Sequence, residues 1–132
     1  LRENRLIALP PCTPALTAYK LSFNEIRNIY APDLKHCTAL ENLDLTNNNL
    51  EELPQFRCPE SMQVIDLSDN RLRLIPTESF TECPTLYALN LQNNRIAATE
   101  PRAFAGLIEL RYLRLDGNDL TALVPGSFFM ES

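Results

Sequence analysis

The residues of this 132-residue chain with the most direct access to covalent or metal chemistry are four cysteines, Cys12, Cys37, Cys58 and Cys83, and a single histidine, His36. A thiol nucleophile needs a base within hydrogen-bond reach, and residues adjacent on the chain rarely achieve that geometry. His36, beside Cys37, is therefore read as a surface residue. No CxxC pair and no metal-ligand spacing is present, so neither a metal nor any other cofactor is expected. Asp44, Asp66 and Asp69 supply carboxylates, but they come from different segments with no sign of a deep, water-excluding pocket around them. The residues that could do chemistry do not assemble a reaction, and the chain reads as not an enzyme.

The elements that position these residues come from an internal period. The pattern LxxLxLxxNxL fits five times, its asparagines at Asn24, Asn48, Asn70, Asn94 and Asn118. The units open at Leu16, Leu40, Met62, Leu86 and Leu110, spaced 24, 22, 24 and 24 residues apart. Within each unit, alternate positions are apolar, the period of a strand with one buried face. Tyr19/Leu21, Leu43/Leu45, Ile65/Leu67, Leu89/Leu91 and Leu113/Leu115 therefore point inward together. Strands of neighbouring turns stack about 4.8 Å apart as a parallel sheet. One turn cannot bury its own apolar face, so stability comes from stacking. With only three glycines in so many turns, the motif asparagines are expected to serve the bends as a buried ladder. Each side-chain amide both donates and accepts, and can satisfy backbone groups of its own turn and the next.

This pattern resembles the leucine-rich repeat family, in its typical 24-residue class, over essentially the whole chain. The resemblance implies an α/β-type repeat solenoid, a horseshoe with a parallel β-sheet on the concave face and irregular or 3-10 return arcs on the convex face. It gives one domain over 1–132, with a partial repeat at 1–15 and repeats starting at 16, 40, 62, 86 and 110. Leu1, Asn4 and Leu6 match only the second half of a motif, and Ser132 falls inside an arc, so the reading is an array truncated at both ends.

In the arcs, Phe80, Phe104 and Phe128 each fall eight residues after the last apolar motif position, which predicts an aromatic spine. Leu34 takes that slot in the first arc. Phe56 comes two residues early in the shortened second arc, which is expected to take a tighter path. Cys37 and Cys83 stand three residues before Leu40 and Leu86, where Leu107 precedes Leu110, so they read as core thiols replacing leucine. Cys12 and Cys58 stand four residues before Leu16 and Met62. A Cys37–Cys83 bridge would have to span two turns, about 10 Å, against the roughly 7 Å a disulfide allows. Pairs between adjacent turns, such as Cys12–Cys37, remain open.

Outward positions of the strands form three columns on the concave face. They run Ala18, Asn42, Val64, Ala88, Tyr112; then Lys20, Asp44, Asp66, Asn90, Arg114; then Ser22, Thr46, Ser68, Gln92, Asp116, with Phe23, Glu41, Asp69, Tyr87 and Arg111 at the flanks. The middle is acidic and the far end rich in Tyr and Arg, residue types enriched at interface hot spots. In the family this sheet is the usual docking surface. That implies a protein partner for Lys20, Glu41, Asp44, Asp66, Asp69, Tyr87, Asn90, Arg111, Tyr112 and Arg114.

Acids outnumber bases 17 to 12, which argues against a nucleic-acid partner. No apolar run approaches the roughly 18 residues that cross a bilayer, so this segment is not expected to insert into a membrane. Two settings compete for a recognition module. The phenylalanine-bearing arcs resemble those of receptor and adhesion ectodomains, which places the chain outside the cell or on its surface. Core thiols and the absence of an N-x-S/T sequon suit an intracellular scaffold or phosphatase regulator instead. A third setting is a recognition array attached to an enzyme domain elsewhere.

Overall fold

The computed structural model describes residues 13–27 and 34–120. Five three-residue strands, β1 (Ala18–Lys20), β2 (Asn42–Asp44), β3 (Val64–Asp66), β5 (Ala88–Asn90) and β7 (Tyr112–Arg114), form one parallel sheet in the order β1-β2-β3-β5-β7. The register aligns equivalent motif positions in every turn: Tyr19 with Leu43, Leu43 with Ile65, Ile65 with Leu89 and Leu89 with Leu113. That register follows from the pattern, because a one-residue slip would turn every inward leucine to solvent. Tyr19, Leu43, Ile65 and Leu89 are buried beneath the sheet, together with Leu21, Leu45, Leu67 and Leu91 of the next inward position.

The return arcs are turns and bends, and the described residues contain no helix. A second, two-stranded parallel sheet joins β4 (Leu74–Ile75) to β6 (Ala98–Thr99) in the third and fourth arcs. The partial repeat at 1–15 lies mostly outside the described residues, as do Cys12 and Phe128.

Phe80 stacks on Phe104, with ring centroids 6.5 Å apart and planes 2° from parallel, and on Phe56 at 6.2 Å and 11°. Phe56 thus joins the spine despite its early place in the chain. The two residues missing from this arc lie between Leu50 and Phe56, so the shortcut is taken before the ring. The ring arrives level with its neighbours, and all three are essentially solvent-free.

The expectation of unpaired core thiols is overturned. Cys58 and Cys83 form a disulfide across adjacent turns, with their Cα atoms 5.0 Å apart. Cys37 is also disulfide-bonded, its partner lying outside the described residues. Cys58 stands four residues before its motif and Cys83 three before, and the two backbones run side by side one residue out of step with the motif, so that Arg57 faces Glu82 and Cys58 faces Cys83. Cys58 N–H donates to the Glu82 carbonyl at 3.2 Å, and Arg57 bridges Glu82 in parallel register. Beside this staple, Glu82 accepts from Lys35 of the first arc at 3.2 Å and from Arg57 of the second at 3.3 Å. The bond from Lys35, then the charge of Arg57, holds the Glu82 carboxyl below its ordinary pKa. One carboxylate therefore links three successive turns at the surface.

The motif asparagines bind backward through the stack. Asn70 Nδ2 donates to the Leu67 carbonyl of its own turn at 3.0 Å and to the Leu45 carbonyl of the preceding turn at 2.9 Å, while Oδ1 accepts from Leu50 N–H at 3.0 Å. Asn48, Asn94 and Asn118 repeat the arrangement on Leu21/Leu45, Leu67/Leu91 and Leu91/Leu115, and their oxygens accept from Ile26, Leu72 and Ile96. Asn24 donates to Leu21 and Ser22. We predict that Asn70→Ala, which strands these backbone groups in a buried site, costs about 1–3 kcal/mol in urea unfolding. An unchanged midpoint would show that water replaces the amide.

These asparagines do not themselves stand in for glycine. The left-handed backbone falls one residue earlier, at Asn47, Asp69, Asn93 and Gly117, with φ of 55°, 57°, 55° and 72°. Asn, Asp and Gly tolerate that region. Phe23 holds the same place with φ 56°, a strained conformation for a bulky side chain.

Burial also marks Tyr19, whose phenol is pushed up to about 12 by desolvation. A folded-state value above the unfolded one of roughly 10 means that stability is retained below pH 10 and lost as pH rises toward 12. Alkaline titration of the wild type against Tyr19→Phe is expected to show a shallower loss in the variant over that window. Parallel curves would contradict this.

Candidate functional site

The concave columns are held by the strands' own turns. Asp44 Oδ1 accepts from the Thr46 backbone N–H at 3.0 Å and the Thr46 hydroxyl at 2.8 Å, and Asp66 Oδ1 accepts from Ser68 in the same way at 3.0 and 2.8 Å. Asn90 Oδ1 accepts from Gln92 N–H at 3.1 Å. Each short acceptor turns back on its own chain two residues on, which fixes its rotamer where the strand ends. Asp44 and Asp66 are aligned neighbours across β2 and β3 and stay partly accessible, so two like charges lie side by side over a half-covered sheet. Asp69 stands apart from them, exposed on its left-handed turn. Lys20 is exposed in register with Asp44 at the β1 edge, and Glu41 is exposed ahead of β2.

At the other end, Tyr87 and Tyr112 meet edge to face, their ring centroids 5.2 Å apart and the planes at 64°. The Tyr87 carbonyl accepts from both Arg111 N–H at 2.9 Å and Tyr112 N–H at 3.2 Å, so backbone pairing brings the three residues together. The rings remain 41% and 59% exposed, large aromatic surface left in water on a rigid edge. The Tyr112 hydroxyl and then desolvation push the Tyr87 phenol upward, while the Arg111 charge pulls it down. The arginines differ from each other. Arg114 Nε and Nη2 donate to Asp116 Oδ1 and Oδ2 at 3.3 and 3.2 Å, a two-point pairing with the turn that follows β7. Arg111 is exposed, and among the described residues its guanidinium makes no ion pair or hydrogen bond.

Ten residues of the concave reading thus fall in two groups, Lys20, Glu41, Asp44, Asp66, Asp69 and Asn90 over β1 to β5, and Tyr87, Arg111, Tyr112 and Arg114 over β5 to β7. Sequence reasoning placed both tyrosines on the face and did not foresee their contact. Tyr87 stands just ahead of β5 and Tyr112 opens β7, and the Tyr87 carbonyl that accepts from Tyr112 N–H brings the two residues together. Arg114 at the end of β7 and Asp116 in the turn after it, opposite charges two residues apart, announce a pair. Gln92 was read only as a column member, yet its Oε1 is buried with no hydrogen-bond donor.

His36 is exposed and its neighbour Cys37 is disulfide-bonded, so this pair offers no thiol. No group of three or more potential metal ligands occurs among the described residues, and they contain no helix long and apolar enough to cross a membrane.

Known proteins carry the same features. Two family models described as leucine-rich repeats match residues 60–120 and 39–58, together more than half of the chain. Nephrocan of Mus musculus is 34% identical over 88% of this chain, which spans 27% of Nephrocan's length. Among solved structures, a Toll–Spatzle complex from Drosophila aligns over 100% of this chain and 18% of its own with a TM-score of 0.86 and 30% identity. A TLR13–ssRNA13 complex aligns over 81% of this chain and 19% of its own with a TM-score of 0.67 and 25% identity. The latter is a solenoid of this fold complexed with RNA, so the fold as such does not exclude nucleic acid. The motif, the stacked parallel sheet and these matches agree: the chain belongs to the leucine-rich repeat family.

Proposed function

We propose that this chain is a non-catalytic protein-recognition module of a secreted, receptor or adhesion protein, docking its partner on the concave sheet. The observation that carries the binding site is the pair Tyr87–Tyr112, pre-packed and exposed beside Arg111 on that sheet. Tyr and Arg on a preorganised support lose little side-chain freedom on binding. The acidic pair Asp44/Asp66 gives the face a second pole, which suits basic groups of the same partner. The solved Toll–Spatzle complex shows that a closely similar solenoid occurs with a protein partner. The net charge of −5 favours protein over nucleic acid.

The cysteines support an extracellular setting. Disulfides form and persist where the environment is oxidising, and among the described residues no free cysteine is present. This favours the extracellular setting over the intracellular scaffold, for which unpaired core thiols had been the argument. Alkylation of the protein isolated from its source should modify the four cysteines only after reduction; labelling without reductant would contradict the setting.

For the face itself, the test is affinity for secreted and cell-surface ectodomains of the source organism. Asp44→Lys with Asp66→Lys, and separately Tyr112→Ala, should each weaken a binder by roughly tenfold or more. Unchanged affinity in both would remove the concave face as the site.

A further inference from the structure

Resting on the protein-recognition reading, we propose that Tyr87, Arg111 and Tyr112 form a subsite for a carboxylate-bearing polypeptide segment, the acidic side chain meeting Arg111 and a flanking apolar residue covering the tyrosine pair. The two arginines at this end of the sheet are not equivalent, and that difference selects the site. Arg114 already has both oxygens of Asp116, so a ligand acid reaching it must displace an existing partner. Arg111 has no such partner among the described residues and presents a planar fork suited to a carboxylate. It sits where the Tyr87 carbonyl joins the backbones of both arginine and tyrosine, so its root is fixed relative to the rings.

The aromatic pair supplies the second half of the recognition. An edge-to-face arrangement at 5.2 Å leaves one ring's face open to an incoming side chain. Charge complementarity sets the direction of the ligand. The aligned aspartates of β2 and β3 repel an acid, and Arg111, which immediately precedes β7, attracts it, so the ligand's acid is placed at the β7 end. A sulfated glycan shares the anionic chemistry, but polyanions are held by several cations together, and at this end of the sheet Arg111 is the arginine without an acid of its own among the described residues.

The test is selection of a displayed random dodecapeptide library on the immobilised chain, sequenced in parallel on wild type, Arg111→Gln, Tyr112→Ala, Asp44→Asn with Asp66→Asn, and Arg73→Gln on a return arc as control. Circular dichroism confirms the fold of each, and soluble heparin is assayed on the same surfaces. Peptides enriched on wild type are expected to share an Asp or Glu beside an apolar residue. Their affinity should fall roughly tenfold on Arg111→Gln and on Tyr112→Ala, and hold on Arg73→Gln. It should rise on the double asparagine variant, where repulsion is removed and the amide oxygens keep the turn bonds that Asn90 makes. Acidic peptides insensitive to Arg111→Gln, or enrichment of basic peptides lost on the double variant, would overturn the subsite and leave the concave face standing as a protein site. Heparin binding that depends on Arg111 without acidic-peptide enrichment would reassign the cluster to a glycan. Enrichment insensitive to every concave substitution, or none at all, would remove both readings.

Discussion

Replacing Phe80 with alanine is expected to cost about 4 kcal/mol, in the range measured when buried aromatics are truncated. The ring is fully buried and faces Phe56 on one side and Phe104 on the other. Its removal therefore opens a cavity in the middle of the spine and ends both stacking contacts. A closed globular core can relax from several directions. A solenoid turn is held at fixed spacing by the sheet on its concave side and cannot collapse along the stack without breaking that register. Urea unfolding monitored by circular dichroism gives the cost directly. A loss below about 1 kcal/mol would mean that the arcs do not depend on the spine. Leu74→Ala, on a side chain 39% exposed in the neighbouring small sheet, should cost far less and serves as the comparison.

The second large effect is expected from the cross-turn staple. Cys58 and Cys83 close a loop with a sequence separation of 25, for which loop-closure entropy gives about 3.5 kcal/mol of stabilisation. The double variant Cys58→Ala/Cys83→Ala isolates this bridge, whereas a reductant would also open the one at Cys37. Its unfolding midpoint should fall accordingly. A shift under about 1 kcal/mol would show that the Cys58–Glu82 backbone bond and the Lys35–Glu82–Arg57 group already hold the two arcs together.

These effects also show where the sequence was informative. The five motif units dictated the parallel sheet, its register and the inward leucines, because a period-two face repeated at one spacing has a single way to bury itself. The asparagines at the strand ends were legible for the same reason, since a buried bend needs an amide's mixed valence. The arcs were harder to read. Their residues have no alternation, and the path of the shortened one decides the outcome. A thiol in a leucine slot reads as a small hydrophobe, and only the side-by-side course of the second and third arcs makes Cys58 and Cys83 partners. The shortcut ahead of Phe56 brought that ring into the spine. On the concave face the columns led by Ala18 and Lys20 are at least partly open to solvent, whereas Ser22 and Ser68 of the third column are buried, and the pairing between side chains was not legible. Tyr87 with Tyr112 and Arg114 with Asp116 depend on rotamers that a column does not specify. That pairing changes the reading from a general Tyr/Arg end to one free arginine beside a fixed aromatic edge.

The central claim is that the concave sheet meets the partner and the arcs do not. Hydroxyl-radical footprinting of the chain, alone and with a bound ectodomain, tests it most directly, because the labelled side chains are already exposed on both faces. The account predicts that Tyr87 and Tyr112 lose most of their labelling in the complex while Leu74, on the arcs, keeps its own. Protection of Leu74 with both tyrosines still labelled would contradict it.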